Sequence, residues 1–131
     1  MRLRVTTFLI LCAFWVPSVA LVLAQDAPDY KPLVGVWTWR PNREWSAVRT
    51  IQSVSDTGLV TAEWKDPHWG TIPFKTQAQT VNGNTRIKFG GSTKYDLEYD
   101  KKKDVLIGPV TNLPPKYTEP EWQTAHFTRT K

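Results

Sequence analysis

The sequence has 131 residues, of which 17 are basic and 12 acidic, so its net charge is +5. This length is typical of one small domain with one core. The charge is too modest to indicate a nucleic-acid-binding surface, and we expect no nucleic acid partner. The sequence has one cysteine, Cys12, so an intramolecular disulfide is excluded and the fold must be stabilised by its core.

The first 24 residues have the pattern of a secretory signal peptide. Two arginines precede an apolar run from Val5 to Ala24, and Val22-Leu23-Ala24 offers small residues before a cleavage site. We predict a signal-peptide helix over residues 1–24 and a periplasmic or secreted mature protein without membrane contact. A retained membrane anchor is the alternative, because the apolar run is long enough to span a bilayer. Pro17 favours cleavage.

The remaining sequence has the pattern of short β-strands. Residues 25–32 are polar and contain two prolines, which predicts a disordered lead-in to one domain over residues 33–131. In Tyr95-Asp96-Leu97-Glu98-Tyr99 the apolar side chains share one face and the acids the other, as in a half-buried strand. We predict eight strands, at residues 33–39, 45–54, 59–64, 72–80, 85–89, 94–99, 105–110 and 122–130.

The links between these strands indicate their arrangement. Those at 55–58, 81–84 and 100–104 are tight, and Asn82-Gly83 is a strong hairpin signal. The others, at 40–44, 65–71, 90–93 and 111–121, are mostly longer. Successive links of a meander alternate between its two ends, so tight turns close one end and longer loops surround a mouth at the other. We predict an all-β fold, a single eight-stranded antiparallel up-and-down β-barrel; a five-stranded oligonucleotide-binding barrel is the alternative.

Two short motifs resemble the calycin superfamily, which includes avidins and lipocalins. Gly35-Val36-Trp37 in the first strand resembles the Gly-x-Trp of these families, and Arg129 in the last strand resembles their terminal arginine. The resemblance covers residues 33–130 and extends to the lipocalin-like barrels of bacterial exported proteins. It implies a structural clamp of Gly35, Trp37 and Arg129 at the closed end. The biotin-contacting pattern of avidins has no residue-by-residue match, so biotin is not expected.

Aromatic residues are concentrated at the predicted mouth. Such rings can stack on sugars or hold a flat apolar ligand, since each offers a large area at a small entropic cost. The alternative is that they cap the core. An eight-stranded barrel is just wide enough to be filled by side chains or to hold one small ligand, so a large lipid is not expected. The predicted ligand-binding set has seven members: Trp39, Trp45, Trp64, His68, Trp69, Tyr117 and Trp122.

We predict no metal site, no cofactor and no catalytic residue. A metal site needs three or four ligands, and the one other histidine besides His68 is His126 in the last strand. The sequence has no Gly-x-Ser-x-Gly nucleophile motif and no cysteine beyond the signal peptide. An enzyme is therefore not expected.

Two functional hypotheses remain. The first is an exported binding module for a small molecule or carbohydrate at the mouth. The second is a protein-interaction module, such as an inhibitor or accessory subunit of a secreted enzyme, which acts through the proline-rich loop before residue 122. The first predicts exposed ring faces around an opening, and the second predicts a filled barrel with a protruding apolar loop.

Overall fold

The computed structural model describes residues 28–66 and 68–131, so the predicted signal peptide lies outside the described residues. Each described strand is antiparallel to the next, and β8 pairs with β1 to close a barrel. The predicted all-β, eight-stranded, up-and-down barrel is confirmed, and the five-stranded alternative is wrong. The strands are β1 (Gly35–Trp39), β2 (Ala47–Val54), β3 (Leu59–Asp66), β4 (Gly70–Val81), β5 (Asn84–Gly90), β6 (Lys94–Asp100), β7 (Val105–Thr111) and β8 (Thr124–Arg129).

Alternating side chains from all eight strands meet in one core inside the barrel. Directly paired residues point to the same side of a sheet, and the inward pairs include Gly35 with Ile51 and Leu106 with Phe127. The predicted alternation in β6 is observed, because Tyr95 and Leu97 are buried. The interior is therefore filled by side chains. Its largest fully buried members are Trp37, Phe127, Leu33, Ile51, Ile87, Leu97, Leu106 and Val60.

Two short 3-10 helices replace the ends of predicted strands. Lys31–Leu33 forms one, with Pro32 near its start, so β1 begins at Gly35. Pro120–Trp122 forms the other, so β8 begins at Thr124. A proline suits the first turn of a helix because it has no N–H to leave unpaired there. In the described part of the chain, no helix is both long and apolar enough to span a bilayer.

The lead-in expected to be disordered is partly ordered. Its first residues lie outside the described part of the chain, but Tyr30 is buried in the core and Leu33 lies beside it in the same cluster. The Tyr30 carbonyl accepts a hydrogen bond from the Leu33 N–H at 3.0 Å. The apolar side chains of Tyr30 and Leu33 account for the difference from the prediction, since together they cover the closed end of the barrel.

The mouth is formed by two long loops and two short turns. The long loops are residues 40–46 and 112–123, and the short turns are those that follow β3 and β5. The link between β3 and β4 is thus tighter than predicted, because Asp66 pairs directly with Gly70. The closed end carries the turns at 55–58, 82–83 and 101–104, as the meander argument predicts.

The barrel wall has two short seams. The β1–β8 ladder has two residue pairs and the β4–β5 ladder has four. Beyond the β4–β5 ladder, Thr76 Oγ1 donates a hydrogen bond to the Lys88 carbonyl, and the Phe74 and Phe89 rings meet with centroids 5.5 Å apart. A groove on the outer wall follows each seam. Side-chain contacts therefore close the β4–β5 seam where backbone pairing stops.

Candidate functional site

The predicted ligand-binding residues all lie on strand ends or loops of the mouth, but their exposure divides them. Trp69 is 83% exposed, and Trp45 and Trp64 are each 37% exposed. His68 is also exposed, and Tyr117 is half-buried. The remaining two members of the set are buried. The structure thus brings three tryptophans of the set to the surface at this end.

An aromatic plug lies beneath part of the mouth; it consists of Trp39, Trp45, Tyr117 and Trp122. Trp45 meets Trp39 and Trp122 with ring centroids 5.6 and 5.3 Å apart, and Tyr117 meets Trp122 at 4.4 Å. These edge-on and tilted contacts are the favoured geometry of aromatic pairs. Trp39 and Trp122 are 3% and 6% exposed, so they have little surface left for a ligand. Both side chains belong to the core and cover it at the mouth end.

Two side chains hold the loops that carry exposed tryptophans. Asn42 Oδ1 accepts hydrogen bonds from the backbone N–H groups of Glu44 and Trp45, both at 2.9 Å. Asp66 Oδ1 accepts from His68 and Trp69 at 2.7 and 2.9 Å. The hydrogen bonds from Trp69 and His68 lower the pKa of Asp66 below its ordinary value, so the carboxylate is charged at neutral pH. Such Asx turns fix the backbone, so Trp45 and Trp69 stand on defined turns.

Arg49 also lies at this end of the barrel, and it is not among the predicted site residues. It lies on the inward face of β2 between Ala47 and Ile51, and it is 5% exposed. The residue alternation of β2 could have revealed it, since Ala47, Arg49 and Ile51 share one face. A charged side chain on the inward face of a barrel is unusual, because burial of an unpaired charge is costly.

Two aromatic rings contact the Arg49 guanidinium. Its Cζ atom lies 4.8 Å from the Trp64 ring centroid and 5.5 Å from that of Tyr95, and Nη1 donates a hydrogen bond to the Val48 carbonyl at 3.2 Å. Burial lowers the pKa of Arg49, and the Tyr95 hydroxyl acts in the opposite direction. Burial also raises the pKa of Tyr95, so its phenol is neutral at physiological pH. Tyr95 therefore provides no counter-charge for Arg49.

His68 is not part of a metal centre in the described structure. Residues 28–66 and 68–131 contain no group of three or more His, Cys, Asp or Glu side chains that could hold a metal ion. His126 faces outward on β8, whereas His68 lies in the turn between β3 and β4. The position of His68 beside Trp69 makes it a polar neighbour of the exposed ring.

Arg129 lies across Trp37 at the closed end of the barrel. The guanidinium Cζ is 4.3 Å from the Trp37 ring centroid, and Trp37 Nε1 donates a hydrogen bond to the Leu33 carbonyl at 2.8 Å. Gly35 has a φ of 146°, and a Cβ atom there would lie 2.5 Å from Arg129 Nη1. Glycine at this position therefore makes room for the guanidinium. The three residues named from the calycin motifs are in contact.

Asp104 and Tyr99 complete this cluster, which we call the Arg129 clamp, and neither was predicted. Arg129 donates to the Asp104 carboxylate at 2.8 and 3.0 Å and to the Val34 carbonyl at 2.7 Å. The Tyr99 hydroxyl donates to Asp104 Oδ1 at 2.8 Å. The clamp thus ties the turn between β6 and β7 to the first and last strands.

Acid should weaken the Arg129 clamp. The Arg129 guanidinium holds the pKa of Asp104 below its ordinary value of 3.8, with the Tyr99 hydroxyl adding to the effect. Since the folded pKa is depressed, Asp104 stabilises the fold fully above the unfolded value, and this contribution is lost as the pH falls through the folded pKa. We expect Asp104→Asn to reduce the loss of stability below about pH 4, measured by urea unfolding.

The depressed pKa of Asp66 remains in this variant, so part of the acid sensitivity will persist. Asp56→Asn, in the exposed turn between β2 and β3, is the matched control. It should lose stability in acid as the unmodified protein does. Equal acid dependence of the Asp104→Asn protein and the unmodified protein would show that the clamp carboxylate does not contribute to stability.

Comparison with known proteins provides no relative from which to transfer a function. No protein-family model matches the chain, and neither a curated protein nor a solved structure matches it. The resemblance to calycins therefore depends on Gly35, Trp37 and Arg129 within a closed eight-stranded barrel.

Proposed function

We propose that this protein is an exported, non-enzymatic binding module of calycin type that holds a small flat molecule or a sugar ring at its mouth. The observation that carries the proposal is the 83% exposure of Trp69, with Trp45 and Trp64 partly exposed at the same end. Among the described residues, the exposed large aromatic side chains all lie at the mouth. Exposed rings concentrated at one end of a protein are typical of a binding surface.

The loops that carry the exposed rings support this proposal. Asn42 and Asp66 fix the backbone at Trp45 and Trp69 before a ligand arrives. A binding site whose groups are already ordered loses less conformational entropy when a ligand binds. Tryptophan itself adds a large contact area with few rotatable bonds.

The filled interior limits the size and position of the ligand. Trp39, Phe89, Tyr95 and Phe127 pack against one another below the mouth, with ring centroids between 5.9 and 6.3 Å apart where they meet. This leaves the upper surface of the mouth, and not the centre of the barrel, as the place for most of the ligand. A sugar ring or a fused aromatic ring suits such a surface, whereas a long lipid does not.

Truncation of Trp69 should abolish most of the binding. We expect a saturable change in tryptophan fluorescence when the protein, purified after expression of the full chain, is titrated with panels of oligosaccharides and flat apolar molecules. Trp69→Ala should weaken the binding of the best ligand at least about tenfold. Truncation of a tryptophan that dominates an interface typically costs at least this much affinity. Leu59→Ala, which removes an exposed apolar side chain at the closed end, is the matched control and should bind normally.

A protein-interaction module is the second candidate, and the filled barrel favours it. The proline-rich loop is less favourable to it, because Leu113 and Tyr117 pack against the core and do not protrude. A partner would therefore contact the turn that carries Trp69. A flat response to both ligand panels, with the protein fully folded, would contradict small-ligand binding and favour this second function.

A further inference from the structure

We propose that Arg49 is the recognition site for the carboxylate of a small flat ligand at the mouth. This inference rests on the proposed binding function and specifies its ligand. Arg49 is 5% exposed, yet it contacts rings on both β3 and β6 near the mouth. Trp64, which provides one of these two rings, is partly exposed to solvent.

Arg49 has no anionic partner in the described structure. The ion pairs in residues 28–66 and 68–131 are Arg86–Asp96 and Arg129–Asp104. The hydrogen bond that Arg49 makes to the Val48 carbonyl uses one of its five N–H donors. Removing an ion from water is costly, and cation–π contacts return only part of that cost. The guanidinium is therefore a buried cation that contacts two aromatic rings but pairs with no carboxylate among the described residues.

The neighbouring groups indicate a carboxylate instead of a phosphate. A guanidinium presents paired N–H donors that match the two oxygens of a carboxylate. Arg49 is the one charged side chain among the buried residues of the described chain, so it neutralises one negative charge. A phosphate monoester carries nearly two negative charges at neutral pH, and one buried arginine would leave the second uncompensated.

The rings around Arg49 indicate a flat ligand body. Trp64 lies over the guanidinium from the mouth end of β3, and Trp69 follows it in the same hairpin. A carboxylate approaches Arg49 beside the partly exposed Trp64 ring. The ligand body then contacts these two rings. Because the interior below is filled, the carboxylate points inward and the body remains at the surface.

The first test compares 2-naphthoate with 2-naphthamide, which has the same rings but no charge. We expect calorimetric titration of the unmodified protein to show at least tenfold tighter binding of the carboxylate at low salt. Equal affinity for the two compounds would overturn the role of Arg49 while leaving the proposed function standing. Binding of neither compound, nor of any member of the ligand panels, would instead contradict the proposed function. No variant is needed for this comparison.

The second test replaces Arg49 with methionine, which keeps an unbranched apolar side chain. We expect Arg49→Met to lose the preference for 2-naphthoate and to retain its affinity for 2-naphthamide. Arg43 is an exposed arginine in a mouth loop, so Arg43→Met is the matched control for the loss of one positive charge. This variant should keep the preference for 2-naphthoate. Loss of the preference in both variants would assign it to the general charge of the mouth and overturn the proposal.

The thermal stability of the Arg49→Met protein distinguishes a role of Arg49 in ligand recognition from a role in packing. A buried charge without an ionic partner is costly, and an apolar residue of similar size removes that cost. We therefore expect the ligand-free Arg49→Met protein to unfold at a temperature no lower than that of the unmodified protein. A markedly lower unfolding temperature, together with equal binding of carboxylate and amide by the unmodified protein, would identify Arg49 as a packing residue.

Discussion

Replacing Arg129 with alanine should lower the free energy of unfolding by about 3 kcal/mol, because several hydrogen bonds and a cation–π contact are lost together. The guanidinium donates hydrogen bonds to the Asp104 carboxylate and to the carbonyls of Pro32 and Val34. It also covers the Trp37 ring. Alanine leaves these acceptors without their donor and exposes the end of the core. For a domain of this size the melting temperature should fall by roughly 10–20 °C.

Arg86→Ala is the matched control for this experiment. Arg86 pairs with Asp96 at 3.7 Å on the outer wall, and both side chains are about 40% exposed. Exposed ion pairs of this kind contribute about 0–1 kcal/mol, so the control should remain close to the unmodified protein. If the two variants are destabilised equally, Arg129 contributes as an ordinary surface charge, and the clamp is not what holds the ends of the barrel together.

The same cluster shows how much of the closed end could be predicted from the sequence. Strand count and turn alternation were enough to place Trp37 and Arg129 at one end, since each depends on local periodicity. The role of Asp104 as a partner of Arg129 was not predicted. In the sequence Asp104 lies between Lys103 and Val105, where it has the pattern of a charged hairpin turn. Its partner is 25 residues away, and periodicity carries no information about such a contact.

The strand and loop pattern of the sequence predicts correctly that the aromatic residues of the predicted ligand-binding set lie at the mouth end. It does not predict which of them are buried and which are exposed. Trp39 and Trp122 are buried because the loop after β7 folds back and ends in the 3-10 helix Pro120–Trp122. Composition gives the number of rings, and the path of a long loop decides which of them face water. Trp69 lies in the turn between β3 and β4. This turn is short, because Asp66 pairs with Gly70, and the Trp69 side chain is therefore exposed.

Arg49 was missed for a different reason. A basic residue within a strand is ordinarily assigned to the solvent face, and this assignment overrides the alternation of β2. The inward position becomes evident when Ala47 and Ile51 are taken as the reference for the buried face. A conflict between residue type and strand alternation is thus a useful signal for a functional residue, since local rules are broken most often at functional sites.

The second large effect is expected at Gly108 in β7, where the backbone of β6 leaves no room for a side chain. A Cβ atom at this position would lie 1.8 Å from the Asp96 carbonyl oxygen and 3.1 Å from the Leu97 Cα. The ladder passes from Tyr95 paired with Val110 to Glu98 paired with Ile107, and Pro109 between them has no N–H to donate. A side chain at Gly108 must therefore push backbone, which cannot rotate away as a flexible side chain would.

We expect Gly108→Ala to lower the free energy of unfolding by about 3 kcal/mol, at the upper end of the usual cost of overpacking. Urea unfolding followed by circular dichroism measures the change. Gly91→Ala in the turn between β5 and β6 is the matched control, because a Cβ atom there meets no atom within 4 Å. A Gly108→Ala protein as stable as this control would show that the two strands separate without cost.

The Gly108 variant also connects the wall of the barrel to the site at its mouth. Asp96, whose carbonyl would be displaced, adjoins Tyr95, and the Tyr95 ring lies 5.5 Å from the Arg49 guanidinium. Displacement of β6 should therefore loosen one of the two aromatic contacts of Arg49. If Arg49 recognises a carboxylate, Gly108→Ala should weaken 2-naphthoate more than 2-naphthamide at a temperature where the variant is still folded. Equal weakening of both compounds would mean that the movement disturbs the ring surface and leaves the arginine in place.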